Sequence, residues 1–135
     1  MATHADADLI LKLYDLRREP VMRIARSTWL GWWPADESMA KMACTDTTLE
    51  INAYIRQVTS YWEMAFSIAN QTAVDSELFA KNCGEGILSV IKCQILAAKY
   101  PNAWTRKMPE AELFLANNHT AAAKAVTMRQ RYADK

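Results

Sequence analysis

Residues 86–100 read GILSVIKCQILAAKY, and this stretch decides the fold because it is apolar on almost every side. Pro101 follows it directly and stops the helix that the stretch predicts. Its only charged side chains, Lys92 and Lys99, lie seven residues apart and predict one narrow stripe facing solvent. A helix that is apolar nearly all round belongs in the interior of a protein. The stretch therefore predicts a bundle of other helices packed around it.

The rest of the chain consists of amphipathic patterns separated by short breaks. The first predicted helix spans about residues 6–29, and Pro20 should kink it because the proline ring clashes with the preceding turn and donates no hydrogen bond. Further helices are predicted at about residues 36–43, 48–71, 75–79, 109–117 and 121–133, besides the apolar helix at 87–100. We therefore predict an all-α fold, a compact bundle of five to seven helices forming a single helical domain over residues 1–135.

The composition supports a helical fold in a reducing compartment. Three glycines and four prolines are too few for the frequent turns of a sheet protein. The three cysteines form no CxxC pair and no disulfide framework, which favours the cytoplasm. No stretch approaches about 18 uninterrupted apolar residues, so we predict no membrane span.

The charge is nearly balanced over the chain but unevenly placed along it. The net charge of +1 argues against nucleic acid or a membrane surface as a partner. Residues 35–80 carry two positive and seven negative side chains, whereas residues 81–135 carry nine positive and four negative ones. These segments could face each other within one chain, or the acidic face of one copy could meet the basic face of another.

No set of residues typical of catalysis is present. The two histidines, His4 and His119, lie near the N-terminus and in a predicted helix break, and no HExxH, ExxH or Gly-rich phosphate loop occurs. Cys83 could be a reactive thiol at a helix start, but a buried cysteine is more often inert packing. We therefore predict no catalytic residue, no metal site and no cofactor, and an enzyme is the least favoured class of function.

Three charged residues are candidates for ligand binding. Arg17 lies within the apolar arc of the first predicted helix, and Glu63 lies in the mostly apolar run 61–66. A buried guanidinium needs a carboxylate partner, so the two could pair, either to fix helix register or to line a small polar pocket. The string NCGEG at residues 82–86 adds Glu85, whose flanking glycines allow a tight turn. Glu85 could instead cap a helix or neutralise a cation.

A tryptophan cluster gives the leading functional hypothesis. Trp29, Trp32 and Trp33 follow two arginines, as in nucleic-acid platforms, but two acidic residues come directly afterwards. Core packing or a protein interface is therefore favoured. The first hypothesis is an interaction or scaffold module that forms a homodimer through apolar surface including Trp32 or Trp33. The alternative is a helical protein that binds a small ligand near Arg17, Glu63 and Glu85.

Three strings carry a resemblance to a known type of domain. They are LILKLYDLRRE at 9–19 with VMR at 21–23, QVTSYWEMA at 57–65, and NCGEG at 82–86. With them the chain resembles a small all-helical bacterial family of unknown function over about its first two-thirds. The resemblance implies a bacterial, helical protein, and it brings no activity and no site residues with it.

Overall fold

The computed structural model describes all residues from 1 to 135 and consists of helices joined by short turns. It contains eight α-helices and no strand: α1 His4–Leu16, α2 Pro20–Gly31, α3 Glu37–Thr45, α4 Glu50–Asn70, α5 Ser76–Asn82, α6 Gly84–Lys99, α7 Pro109–Asn117 and α8 His119–Gln130. The all-α prediction is confirmed, whereas the predicted count of five to seven helices is wrong by one. No helix combines the length and the apolar character needed to cross a membrane.

The additional helix arises at Pro20, where a kinked first helix was predicted. The helix ends at Leu16, and a second helix begins with Pro20 at its first position. Glu19 caps this new helix, since its carboxylate accepts a hydrogen bond of 2.9 Å from the backbone N–H of Met22. Proline is favoured at a first helical position because its missing N–H has no partner there in any case. The cap and the proline together turn the kink into a break.

Helix α6 lies at the centre of the bundle, as its apolar sequence predicts. Half of its sixteen residues are buried, and five of these eight belong to one continuous core of 28 buried apolar side chains. The predicted solvent stripe is wrong at Lys92, which is completely buried, and right at Lys99, which is exposed. The C-terminal end of α2 covers Lys92, because the Lys92 ammonium donates a hydrogen bond to the Trp29 carbonyl.

A row of polar side chains along α4 fastens other segments to this helix. The Asn52 amide donates to the Ala43 carbonyl at the end of α3, at 2.9 Å. Further along the row, the Thr59 hydroxyl accepts a hydrogen bond of 2.7 Å from Arg106. Asn52 and Thr59 are both buried, so these two side chains bind neighbouring segments and do not face solvent. Buried polar groups of this kind are satisfied by specific partners, which fixes where α3 and the 104–108 segment lie.

Candidate functional site

The main candidate site is an apolar cavity of about 260 Å³ between α1, α4 and α5. Nine residues line it, seven of them hydrophobic: Ile10, Leu11, Leu13, Tyr14, Arg17, Tyr61, Trp62, Phe79 and Asn82. Its floor is buried, since Leu13, Trp62 and Phe79 are each at most 7% exposed. Its mouth is open, since Leu11 and Tyr14 are more than half exposed. A small molecule could therefore reach a deep apolar surface without unfolding the bundle.

Arg17 is the one charged residue that lines this cavity. Its guanidinium carbon lies 4.7 Å from the centre of the Tyr14 ring and 5.1 Å from that of the Trp62 ring. The predicted ion pair between Arg17 and Glu63 is not formed. The only ion pair in the molecule joins Arg26 and Glu85. The Nε atom of Arg17 is buried, and no protein group accepts a hydrogen bond from it. Such a donor is unusual, because buried polar groups are nearly always paired.

Trp62, which also lines this cavity, carries a second buried donor without a partner. The residue is 3% exposed, and no protein acceptor meets its indole Nε1–H. Gly86 makes room for the ring, since a Cβ atom at this position would lie 2.5 Å from Cε3 of Trp62 and 2.8 Å from Cε2 of Phe66. The close approach of α6 to the aromatic floor therefore requires glycine.

Glu85 does not line the cavity but supports its wall. Its carboxylate accepts two hydrogen bonds from the Arg26 guanidinium, at 2.6 and 2.7 Å, a bidentate geometry that is stronger than a single contact. A third N–H of Arg26 donates to the backbone carbonyl of Arg17 at 2.9 Å. The Tyr61 hydroxyl likewise donates to the Leu13 carbonyl. These contacts satisfy carbonyls at the C-terminal end of α1, which otherwise lack partners, and hold the cavity wall in place.

Glu63 lies outside the cavity. Its two carboxylate oxygens accept hydrogen bonds from the backbone N–H groups of Glu110 and Ala111, at 2.9 and 3.0 Å. These groups belong to the first turn of α7, a helix whose own N-cap residue makes no side-chain bond. A carboxylate at a helix N-terminus also interacts favourably with the helix dipole. Glu63 is thus a cap supplied by α4, and the structure brings it together with neither Arg17 nor Glu85.

The two tryptophans predicted at an interface have different surroundings. Trp33 packs edge-on against Tyr132, with ring centres 5.2 Å apart, and its face covers the Lys92 ammonium at 4.6 Å. Trp32 packs beside Trp29 and Trp104 but also borders a surface groove. The groove is completed by Asp36, Ser38, Met39, Met42, Leu49 and Ile51. Both indoles are half-buried, and Trp32 is the one that borders this groove.

Lys92 was missed as a candidate for an unusual environment. The indole faces of Trp29 and Trp33 lie 4.2 and 4.6 Å from its ammonium nitrogen. Burial lowers the pKa of Lys92 to about 7, because removal from water disfavours the charged form. The signal in the sequence was a lysine in a helix that is otherwise apolar all round.

Two of the three cysteines, Cys83 and Cys93, are buried packing and not a reactive site, whereas Cys44 is half-buried. All three are free, and burial raises the pKa values of Cys83 and Cys93 to about 12. Both thiols therefore stay protonated near neutral pH, and the nucleophilic thiolate is not available. No group of three or more histidine, cysteine or acidic side chains is arranged to hold a metal ion.

Most of the cavity could not be identified from the sequence pattern. Arg17 was found because a charge interrupted an apolar arc, and Tyr14 could have been found because it lies one helical turn before Arg17. Tyr61, Phe79 and Asn82 carry no comparable signal, since they line the cavity only through the packing of α4 and α5 against α1.

Comparisons with known proteins place the chain in a family. No curated protein and no solved structure matches it. The family described as "Domain of unknown function (DUF4760)" matches residues 2–107, which is well over half of the chain. The matched range includes every residue that lines the cavity, together with Glu85, Gly86 and Lys92. The predicted resemblance to a family of unknown function is thereby confirmed, and the chain belongs to the DUF4760 domain family.

Proposed function

We propose that this domain binds a small, mainly apolar molecule in the cavity between α1, α4 and α5. The observation that carries the proposal is a cavity of about 260 Å³ with a buried aromatic floor and an open mouth. An apolar cavity of about 150 Å³ suffices to hold benzene, so this one takes a somewhat larger body. Sites for small molecules are typically concave and apolar, with a few polar groups.

Arg17 is the ligand-binding residue of this proposal, and the two predicted glutamates have supporting roles. Glu85 positions Arg26, which in turn holds the carbonyl of Arg17. Glu63 caps α7 and so positions that helix against α4. No assembled pair of acid and base accompanies the cavity, so binding is favoured over catalysis.

A series of straight-chain alcohols tests this function. Each buried methylene contributes about 0.8 kcal/mol, so two added methylenes should tighten binding roughly tenfold from butanol to hexanol to octanol. The gain should stop once the chain fills the cavity, whereas adsorption to the surface would keep increasing with chain length. Isothermal titration calorimetry measures the series. Failure of every alcohol to bind would refute the proposal.

A pair of variants makes the test specific to the cavity. Ile10→Trp fills the cavity from its half-buried wall and should abolish alcohol binding. Ile24→Trp is the matched control, because Ile24 is 54% exposed on α2 and lies outside the cavity. Equal loss of binding in both variants, or in neither, would place the bound alcohol elsewhere.

A homodimer is the second candidate function, with a second copy of the chain seated on the Trp32 groove. Met39 and Met42 on this groove are 42% and 45% exposed, and methionine side chains adapt readily to a partner surface. The only ion pair, Arg26–Glu85, does not join the acidic segment 35–80 to the basic segment 81–135. This leaves charge on both segments for contacts between copies, which would orient the dimer more than strengthen it.

Sedimentation velocity over a wide concentration range tests the dimer. A Met39→Glu, Met42→Glu double variant should be monomeric, whereas the control Met64→Glu should still associate, because Met64 is equally exposed on α4 but lies outside the groove. Dissociation caused by salt alone would show that charge and not apolar contact holds the dimer. A monomer at every concentration would refute this second function.

We also infer that the domain works in the bacterial cytoplasm. The free state of its three cysteines suits a reducing compartment, and the resemblance to a small bacterial family supports a bacterial source. Fluorescence of a tagged copy in a bacterial host, compared with a periplasmic marker, tests the location.

A further inference from the structure

Two buried hydrogen-bond donors without partners lie in residues that line the same apolar cavity. They are Nε of Arg17 and Nε1 of Trp62, and they are the only buried side-chain polar atoms in the molecule for which no protein partner exists. A buried donor left unsatisfied destabilises the folded protein, because it has lost its hydrogen bond to water without gaining another. Two of them in neighbouring side chains, with Arg17 Cζ 5.1 Å from the Trp62 ring centre, point to an acceptor supplied from outside the protein.

The charge of the cavity decides which kind of acceptor fits. Arg17 contributes a positive charge, and no aspartate or glutamate lines the cavity. Glu85, the carboxylate predicted to share a site with Arg17, instead makes a bidentate pair with Arg26. A cationic ligand would therefore meet repulsion without compensation, and a neutral one would gain nothing from the guanidinium charge. An anion both neutralises Arg17 and accepts from the two donors.

The other polar groups of the cavity do not offer an alternative ligand chemistry. The Tyr61 hydroxyl donates to the Leu13 carbonyl, and the Asn82 amide donates to the Leu78 carbonyl at 2.9 Å. The Tyr61 hydrogen and one of the two Asn82 amide hydrogens are thus used within the protein, and Asn82 is exposed to solvent, whereas Arg17 Nε and Trp62 Nε1 are buried without a partner. The remaining lining is hydrophobic, so the rest of the ligand must be apolar.

We propose that the ligand is a small monocarboxylate with an apolar body, whose carboxylate accepts hydrogen bonds from Arg17 Nε and Trp62 Nε1 at the cavity wall. This inference rests on the proposed function, because it specifies the chemistry of the molecule that the cavity binds. The guanidinium lies over both the Tyr14 and the Trp62 ring, and these contacts restrict its motion before the ligand arrives, which reduces the entropy lost on binding.

The decisive comparison is octanoate against octanol, measured by calorimetry at pH 7, where a carboxylic acid is ionised. The two probes share the apolar chain and differ in the head group. Wild-type protein should bind octanoate at least tenfold more tightly than octanol. Equal binding of the two would overturn the carboxylate inference and leave the proposed function intact, whereas failure of both to bind would overturn the proposed function as well.

Variants assign the preference to the two donors. Arg17→Met keeps an unbranched apolar side chain up to the position of Nε and removes all of the donors, so octanoate should lose its advantage over octanol. Trp62→Phe removes Nε1–H and should reduce that advantage severalfold. Arg18→Met is the matched control, because Arg18 is exposed and does not line the cavity, and it should preserve the preference. A preference that survives in Arg17→Met refutes the inference, even if the Trp62 variant fails to fold.

A spectroscopic readout separates direct contact from general attraction between charges. The protein has five tryptophans, so five indole N–H signals are expected in a ¹H–¹⁵N correlation spectrum. The Trp62 signal, assigned by its loss in Trp62→Phe, should move downfield with octanoate and much less with octanol. Equal movement with both probes would show that the carboxylate does not accept from Trp62.

Discussion

Replacement of Gly86 by alanine tests the close contact between α6 and the aromatic floor of the cavity. The new methyl carbon would lie 2.5 and 2.7 Å from two carbons of the Trp62 indole and 2.8 Å from Phe66. Carbon atoms pack best at about 3.5–4.0 Å, so the rings or the helix must move by roughly 1 Å. Both rings are buried and cannot swing into solvent. Overpacking of this kind costs about 1–3 kcal/mol, against which alanine regains at most about 1 kcal/mol of helix propensity.

Gly84→Ala provides the matched control in the same helical turn. A Cβ atom there would meet only the flexible end of Met128, at 3.4 Å, so this variant should be neutral or slightly stabilising. Urea denaturation followed by circular dichroism should therefore rank Gly86→Ala about 1–3 kcal/mol below Gly84→Ala in unfolding free energy. If Gly86→Ala is as stable as the control, Trp62 does not pack on α6 as described. Trp62→Leu in the Gly86→Ala background should recover part of the loss, because the two positions are in direct contact.

Three further predictions concern the core, a helix cap and a buried charge. Ile91→Ala should lower the unfolding free energy by about 2–5 kcal/mol, because Ile91 is fully buried. Ile95→Ala should lower it clearly less, because Ile95 is only half-buried. Equal losses of the two variants in urea denaturation would contradict the placement of α6. Glu63→Gln should lower the unfolding free energy by about 1 kcal/mol, because it weakens the cap of α7. Glu112→Gln serves as the control. Hydrogen exchange of the backbone amides of Glu110 and Ala111 should accelerate only in the Glu63 variant. The pKa of Lys92 in the folded protein is about 7, below its ordinary value of 10.5, so between these values the unfolded chain binds more protons than the folded one. The unfolding free energy should therefore rise between pH 7 and about 9, by up to about 1.4 kcal/mol per pH unit. Below pH 7 the lysine is charged in both states and this dependence disappears, while above pH 9 the buried thiols oppose it because their raised pKa values favour the unfolded state. Lys92→Met should flatten the rise between pH 7 and 9, and an unchanged profile in that variant would contradict the assignment.

The helices could be predicted from the sequence because their signals are local. A helix is predicted from residue 75, and Asp75 caps it by accepting a hydrogen bond of 2.9 Å from the Leu78 N–H. Pro20 was correctly identified as an interruption, but whether it kinks or breaks a helix depends on the side-chain conformation of Glu19, which the sequence pattern does not contain. The error of one helix therefore comes from a single cap.

Long-range packing accounts for what the sequence could not predict. Lys92 and Lys99 are equivalent in pattern, yet only Lys92 lies beneath Trp29 and Trp33. Arg17 was expected to face Glu63, but it stacks on the preceding residue, Trp62. Successive residues on a helix point about 100° apart. On α4, Trp62 therefore faces α1 and Glu63 faces α7. For this reason Arg17 at the end of α1 meets Trp62 and not Glu63.

The string NCGEG at residues 82–86 connects these features, since neighbouring residues in it support different parts of the cavity. Gly86 admits the Trp62 ring that forms the floor, and Glu85 holds Arg26, which holds the backbone of Arg17 at the wall. Cys83 is buried directly before them, and its thiol senses the charge of Lys124 on α8. The two side chains proposed to bind a carboxylate thus depend on this turn at the start of α6. Because this turn and the whole cavity lie within residues 2–107, the ligand proposal concerns the matched part of the DUF4760 family and not α8, which lies beyond that range. Family members with arginine and tryptophan at these two positions should share the preference for a carboxylate, and members that lack both should bind the alcohol and the acid alike.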